Sequence, residues 1–135
     1  MGRPVLIFLD TNVVLWLAFE PRRLSAAARA AIDQARANAV PLAVSDFTLL
    51  ELATLKRKGR LGLSISLESL LHEIESHFVV LPISARACAL SVTFPSSYPN
   101  DPADRIIGAT ALVEGAPLIT ADRQIRESKV LHTIW

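Results

Sequence analysis

The chain has 135 residues, 51% of them hydrophobic and 20% charged, with a formal net charge of +1 and a single cysteine, Cys88. That length suits one domain around one core, and the apolar fraction excludes a disordered chain. A charge this close to zero excludes a globally basic nucleic-acid binder, so any such surface must be local; one cysteine excludes a disulfide framework or a thiolate zinc site, and a reducing cytoplasm is the expected compartment.

Residues 5–9, Val-Leu-Ile-Phe-Leu, form an apolar run without helical spacing, which predicts a strand buried on both faces. Asp10, Thr11 and Asn12 interrupt the apolar character before it resumes. A membrane span needs about 18 unbroken apolar residues and a secretory leader an unbroken apolar region, so Asp10 excludes both. A helix is expected over 11–19, stopped by Pro21, and Ser25 is placed to cap an Ala-rich helix over 26–39. A second strand is expected over 41–44. Ser45 or Asp46 can then cap a helix that runs to Lys58 and stops at Gly59. An amphipathic helix over 66–76, a strand over 78–83 and a helix from Ser84 to about residue 93 come next. Residues 94–100 are dense in turn formers, and Asp101-Pro102 opens a helix ending near Gly115. Strands over 117–120 and 130–134, with a short helix between them, close the chain. Strands alternating with helices predict a parallel sheet covered on both faces, and such sheets bind ligands beyond the carboxyl ends of their strands.

Four acids fall where that layout places a ligand site: Asp10 after the first strand, Glu51 on the helix after the second, Asp104 at the start of the late helix, and Asp122 after the fourth strand. Asp10 and Asp122 can equally cap the helices that follow them, Asp104 lies in a first turn where the macrodipole favours negative charge, and Asp101, directly before Pro102, reads as a cap. Glu51 is different. Phe47, Glu51 and Leu55 share a helix face with Thr48 and Leu52 beside them, and no Lys or Arg lies three or four residues away. A carboxylate in an apolar stripe must be protonated, paired or bound to a metal. Converging several acids sharpens the problem, since two charges about 5 Å apart repel by roughly 3 kcal/mol at an effective dielectric of about 20. A divalent cation with hard oxygen ligands, Mg²⁺ or Mn²⁺, resolves it, whereas His72, His77 and His132 are scattered and lack ligand spacing.

These residues resemble the PIN-domain ribonucleases, especially the VapC-like toxins of type II toxin–antitoxin pairs. The resemblance spans essentially the whole chain and rests on Leu-Asp-Thr-Asn at 9–12, Ser-Asp-Phe-Thr-Leu-Leu-Glu at 45–51, Asp-Pro-Ala-Asp-Arg-Ile-Ile-Gly-Ala-Thr at 101–110 and Leu-Ile-Thr-Ala-Asp at 118–122. It implies a three-layer α/β/α sandwich with a central, mostly parallel five-stranded sheet, and a single PIN domain over residues 1–135. It implies an acidic quartet of Asp10, Glu51, Asp104 and Asp122 holding Mg²⁺, or Mn²⁺, with Asp10 and Asp104 the firmest ligands and Asp101 an additional acid in some variants. Thr11, Asn12 and Thr120 match small polar positions that orient carboxylates or water. Gly108 departs from the pattern, which more often has Ala, and should alter helix packing rather than chemistry.

The activity implied is metal-assisted hydrolysis of RNA phosphodiesters, with water attacking phosphorus in line. The partners implied are a cognate antitoxin, RNA and a second copy in a homodimer. Lys56, Arg57, Lys58 and Arg60 form the densest basic cluster, and Arg105 and Arg123 flank acids, so these are candidate phosphate contacts. A solvated helix C-terminus competes for the first group, and pairing with the preceding carboxylate for Arg105 and Arg123. Two other readings stand beside the toxin: another Mg²⁺-dependent phosphoryl-transfer enzyme, although phosphatases with an acid at this strand end use Asp-x-Asp where this chain has Asp10-Thr-Asn12, and an inactive PIN-like module that binds RNA or protein.

Overall fold

The period-two alternation of the strands sorts the apolar side chains onto two faces, and the helices cover both. In the computed structural model, which describes residues 4–62 and 64–135, five parallel strands lie in the order β3-β2-β1-β4-β5. The strands are β1 Ile7–Leu9, β2 Leu42–Ser45, β3 Val79–Leu81, β4 Leu118–Ile119 and β5 Thr133–Ile134. The helices are α1 Thr11–Phe19, α2 Ala26–Ala37, α3 Asp46–Arg57, α4 Leu67–His77, α5 Ala85–Ser91, α6 Pro102–Val113 and α7 Arg123–Ser128, with a 3-10 turn at Pro21–Arg23.

Ile7, Leu9, Leu42, Val44 and Ile119 point to one side, where they pack with Val13 and Val14 of α1, Ile32 of α2, Leu52 of α3, and Leu70 and Ile74 of α4. Phe8, Ala43 and Leu118 point to the other, against Ala87 of α5, Ile106 and Ile107 of α6, and Ile125 of α7. This is the expected three-layer α/β/α sandwich, and its sheet is parallel throughout. Among the described residues no helix is long and apolar enough to cross a membrane.

The helices follow their caps. Ser25 accepts from Ala28 N–H at 3.0 Å and Ser45 from Phe47 N–H at 3.0 Å, so Ser45 ends β2 and starts α3 in one residue. Several strands are shorter than the apolar runs predict. Val5 is 82% exposed and lies outside β1, the run over 78–83 pairs only at Val79–Leu81, and the last run pairs only at Thr133–Ile134. For β3 and β5 the reason is position: they are the sheet edges, where one side of the ladder has no partner and burial is incomplete. The second helix ends at Ala37, before the predicted boundary, because Ala39 turns to φ 56°.

Candidate functional site at the carboxyl ends of the central strands

The two central strands deliver the first acids. β1 ends at Leu9 and the next residue, Asp10, caps α1: its Oδ1 accepts from Thr11 N–H at 2.9 Å. β4 ends at Ile119, and Asp122 caps α7 by accepting from Ile125 N–H at 2.9 Å. Buried Thr120 ties these ends together, donating to Asp10 Oδ2 at 2.8 Å and accepting from Asp122 N–H at 3.1 Å. Capping and site placement, which compete as readings of the sequence, coincide here. The cap bonds fix each carboxylate's direction and leave further oxygen lone pairs for a ligand.

Glu51 reaches the same place from α3. It is partly exposed, lying on the rim of the apolar stripe whose buried members are Thr48 and Leu52, a correction to the expectation that it sits inside that stripe. Its Oε1 accepts from the Thr11 hydroxyl. Thr48 Oγ1 lies 2.9 Å from Thr11 Oγ1, and because the single Thr11 proton goes to the carboxylate, Thr48 is left as donor to Thr11. Sequence reading missed Thr48, whose only signal is a hydroxyl three residues before Glu51 on the buried face.

Asp104 lies in the first turn of α6, capped by Asp101, whose Oδ1 accepts from Ala103 N–H at 2.8 Å and from Asp104 N–H at 3.3 Å. Asp101 thus serves the helix terminus, as its place before Pro102 predicts. Asp10, Glu51, Asp104 and Asp122 line one cleft of about 640 Å³, together with Thr11, exposed Asn12, Phe47, Leu50, Thr54, Leu55 and Ala121. A second, smaller cavity of about 430 Å³ between α1, α2 and α4, around Leu17, Phe19, Leu70 and Phe78, holds none of the four acids.

Among the described residues, the charges that shift the acids of the cleft are those of other acids. Asp104 is pushed up to about 7, first by burial and then by the charges of Asp10, Asp101, Asp122 and Glu51. Burial also raises Asp10, against the hydrogen bonds from Thr120 and Thr11, with Asp122 and Asp101 adding to the rise. Glu51 is raised by burial, opposed by the Thr11 hydroxyl and reinforced by Asp10 and Asp101. The charges acting on all three are other carboxylates, the condition a divalent cation relieves. The donors are hard oxygens, and among the described residues no Cys or His lines the cleft, so the set fits a cation of that class rather than zinc. Among the described residues no three of these side chains already converge at ligand spacing on one point.

The cations are distributed differently from the acids. The Arg105 guanidinium is taken up by backbone: Nε donates to the Pro99 carbonyl at 2.9 Å, and Nη1 to the Ser91 and Phe94 carbonyls at 3.1 and 3.2 Å. Neither pairing with Asp104 nor a free phosphate-binding head describes it. Exposed Arg123 pairs with Glu127 at 2.7 Å rather than with Asp122. Lys56 and Arg57 close the last turn of α3 and Lys58 caps it, two turns along the helix that carries Glu51. Tyr98, which the sequence did not single out, is fully buried and donates to the Asp104 carbonyl at 2.7 Å.

A parallel α/β/α sandwich with acids gathered past β1 and β4 and on α3 and α6 defines the class, and the chain belongs to the PIN domain family, whose model matches residues 7–130. Within the family it is similar to Ribonuclease VapC22 of Mycobacterium tuberculosis (strain ATCC 25618 / H37Rv), with 40% identity over 131 residues covering 96% of this chain and 98% of that one. Its fold is similar to a chain of a toxin-antitoxin complex from Klebsiella pneumoniae, at TM-score 0.69 and 23% identity over 96% of each chain. It is similar too to a chain of VapBC2 from Rickettsia felis, bound to a DNA fragment from their promoter, at TM-score 0.70 and 18% identity over 95% and 96% of the two chains. Divalent-metal dependence is general among the VapC ribonucleases of this family, and the donor chemistry of the cleft agrees with it.

Proposed function

We propose that this protein is a VapC-type toxin, an Mg²⁺-dependent endoribonuclease, folded as a single PIN domain over residues 1–135 and neutralised by a cognate antitoxin. The observation that carries the reading is the gathering of Asp10, Glu51, Asp104 and Asp122 around one cleft at the carboxyl ends of β1 and β4, where burial and mutual repulsion raise the first three. Relatedness to a named VapC ribonuclease over nearly the whole chain supports the substrate class.

In this reading Asp10 and Asp104 hold the cation, with Glu51 and Asp122 completing the acidic set. When bound, Mg²⁺ supplies charge neutralisation and Lewis-acid polarisation at the scissile phosphate. Thr120 and Thr11 keep the Asp10 and Glu51 oxygens aimed at the cleft, an orienting role that outer hydrogen-bond partners commonly take at metal sites. Lys56, Arg57 and Lys58, at the C-terminal end of the helix whose Glu51, Thr54 and Leu55 line the cleft, supply RNA phosphate contacts. The antitoxin covers the cleft and inserts a basic side chain among the acids, while its apolar face packs on the neighbouring helices.

The test is cleavage of RNA by purified protein across a Mg²⁺ titration, alongside growth with and without the adjacent gene product. Cleavage should require the cation, and co-expression of the antitoxin should restore growth. Full cleavage in excess EDTA, with contaminating ribonuclease excluded, would refute the metal mechanism.

A further inference from the structure

Gly108 sits on α6 one turn beyond Asp104, among the buried residues of that helix. A Cβ built there would lie 2.1 Å from Tyr98 Oη and 2.9 Å from Tyr98 Cζ, so no side chain is compatible with the Tyr98 ring as placed. The hydroxyl that occupies this space donates to the Asp104 carbonyl at 2.7 Å. In an α-helix that carbonyl already accepts from the N–H four residues on, which here belongs to Gly108; Tyr98 takes its second lone pair. The ring is held from behind by Phe94, edge to face at 4.8 Å between centroids. The 94–100 loop that carries both rings is pinned through its carbonyls by Arg105, the residue after Asp104. Loop and helix therefore brace one another about the residue that faces the cleft.

From this geometry we infer that Tyr98 and Gly108 form a matched pair that positions Asp104: the missing Cβ admits the hydroxyl, and the hydroxyl fixes the backbone from which the Asp104 carboxylate reaches its cation. The inference rests on the reading of Asp104 as a metal ligand. Tyr98 is a positioning residue, touching neither RNA nor cation.

The experiment compares Tyr98→Phe, Gly108→Ala, the double variant and Asp104→Asn, reading the Mg²⁺ concentration that half-saturates both the rise in melting temperature and RNA cleavage. Tyr98→Phe should raise that concentration about tenfold, the low end of what loss of an outer partner does at a metal site, while saturating Mg²⁺ restores kcat. Gly108→Ala, which keeps the hydroxyl but displaces it, should do the same, and the double variant should be no worse than Gly108→Ala alone, because both changes remove one bond. An unchanged half-saturating concentration in Tyr98→Phe overturns the inference; should that variant melt too low to titrate, an unchanged value in Gly108→Ala does so. If Asp104→Asn binds Mg²⁺ like the parent, the ligand assignment itself fails, and the two failures are told apart.

Discussion

At the residue scale, the acids of the cleft owe their positions to hydrogen bonds that also serve secondary structure. Asp10 is at once the cap of α1 and the acceptor of the Thr120 hydroxyl, so the sequence signal for a cap and the signal for a site cannot be separated by inspection. Replacing Asp10 or Asp104 by Asn keeps shape and most hydrogen bonding but removes one charge from a set that repels itself. Each variant should lose RNA cleavage by several orders of magnitude while its metal-free melting temperature stays level or rises; cleavage near the parent's rate in either would refute the assignment. Asp10, Glu51, Asp104 and Asp122 were legible because each lies beside a strand end, a helix start or an apolar stripe, all local features. Thr48 and Tyr98 were not, because their roles depend on partners 37 and 6 residues away whose approach is set by packing. Arg105 is a sharper case: its partners are backbone carbonyls, which leave no trace in residue identity.

At the scale of elements, the helix starts were readable almost to the residue because caps mark them, several helix ends were overshot, and the strands were overestimated. A parallel strand held between two neighbours needs only a few ladder pairs, and β4 manages with two residues because it is fully buried between β1 and β5. The strand order was not legible, since alternation shows that the sheet is parallel but not which strands adjoin. The segment between α5 and α6 reads as loose turn formers, yet Arg105 converts it into a fixed support. Replacing Arg105 by Ala should strip at least two carbonyls of their partner and destabilise the fold by about 2–3 kcal/mol, as lost hydrogen bonds to a charged group do. If Arg105 instead contacted RNA phosphates, its loss would flatten the salt dependence of RNA binding by about one unit of slope; that slope should be unchanged. Chemical denaturation and salt-dependent RNA binding on the same variant distinguish the two roles.

At the scale of the whole molecule, the fold spends stability to hold its acids together, and the sign of the resulting pH dependence is fixed. Asp104 rises from 3.8 to about 7, so between those values the folded protein keeps a proton that the unfolded chain releases. Folding is therefore favoured at the acid end of the window, loses stability as pH climbs through it, and carries the full penalty above about 7. Asp10 and Glu51 are raised too, with burial the leading cause, and act in the same direction. A cation that binds only the folded state competes with those protons and stabilises by mass action, so its effect must grow as the acids ionise. The melting temperature in EDTA should fall from about pH 5 to about pH 8, and the increment from a fixed Mg²⁺ concentration should be larger at the higher pH. Asp104→Asn should flatten the first trend and shrink the second. A metal-free melting temperature that rises across this range would show that another set of groups governs the pH response; a Mg²⁺ increment independent of pH would place the cation away from these carboxylates.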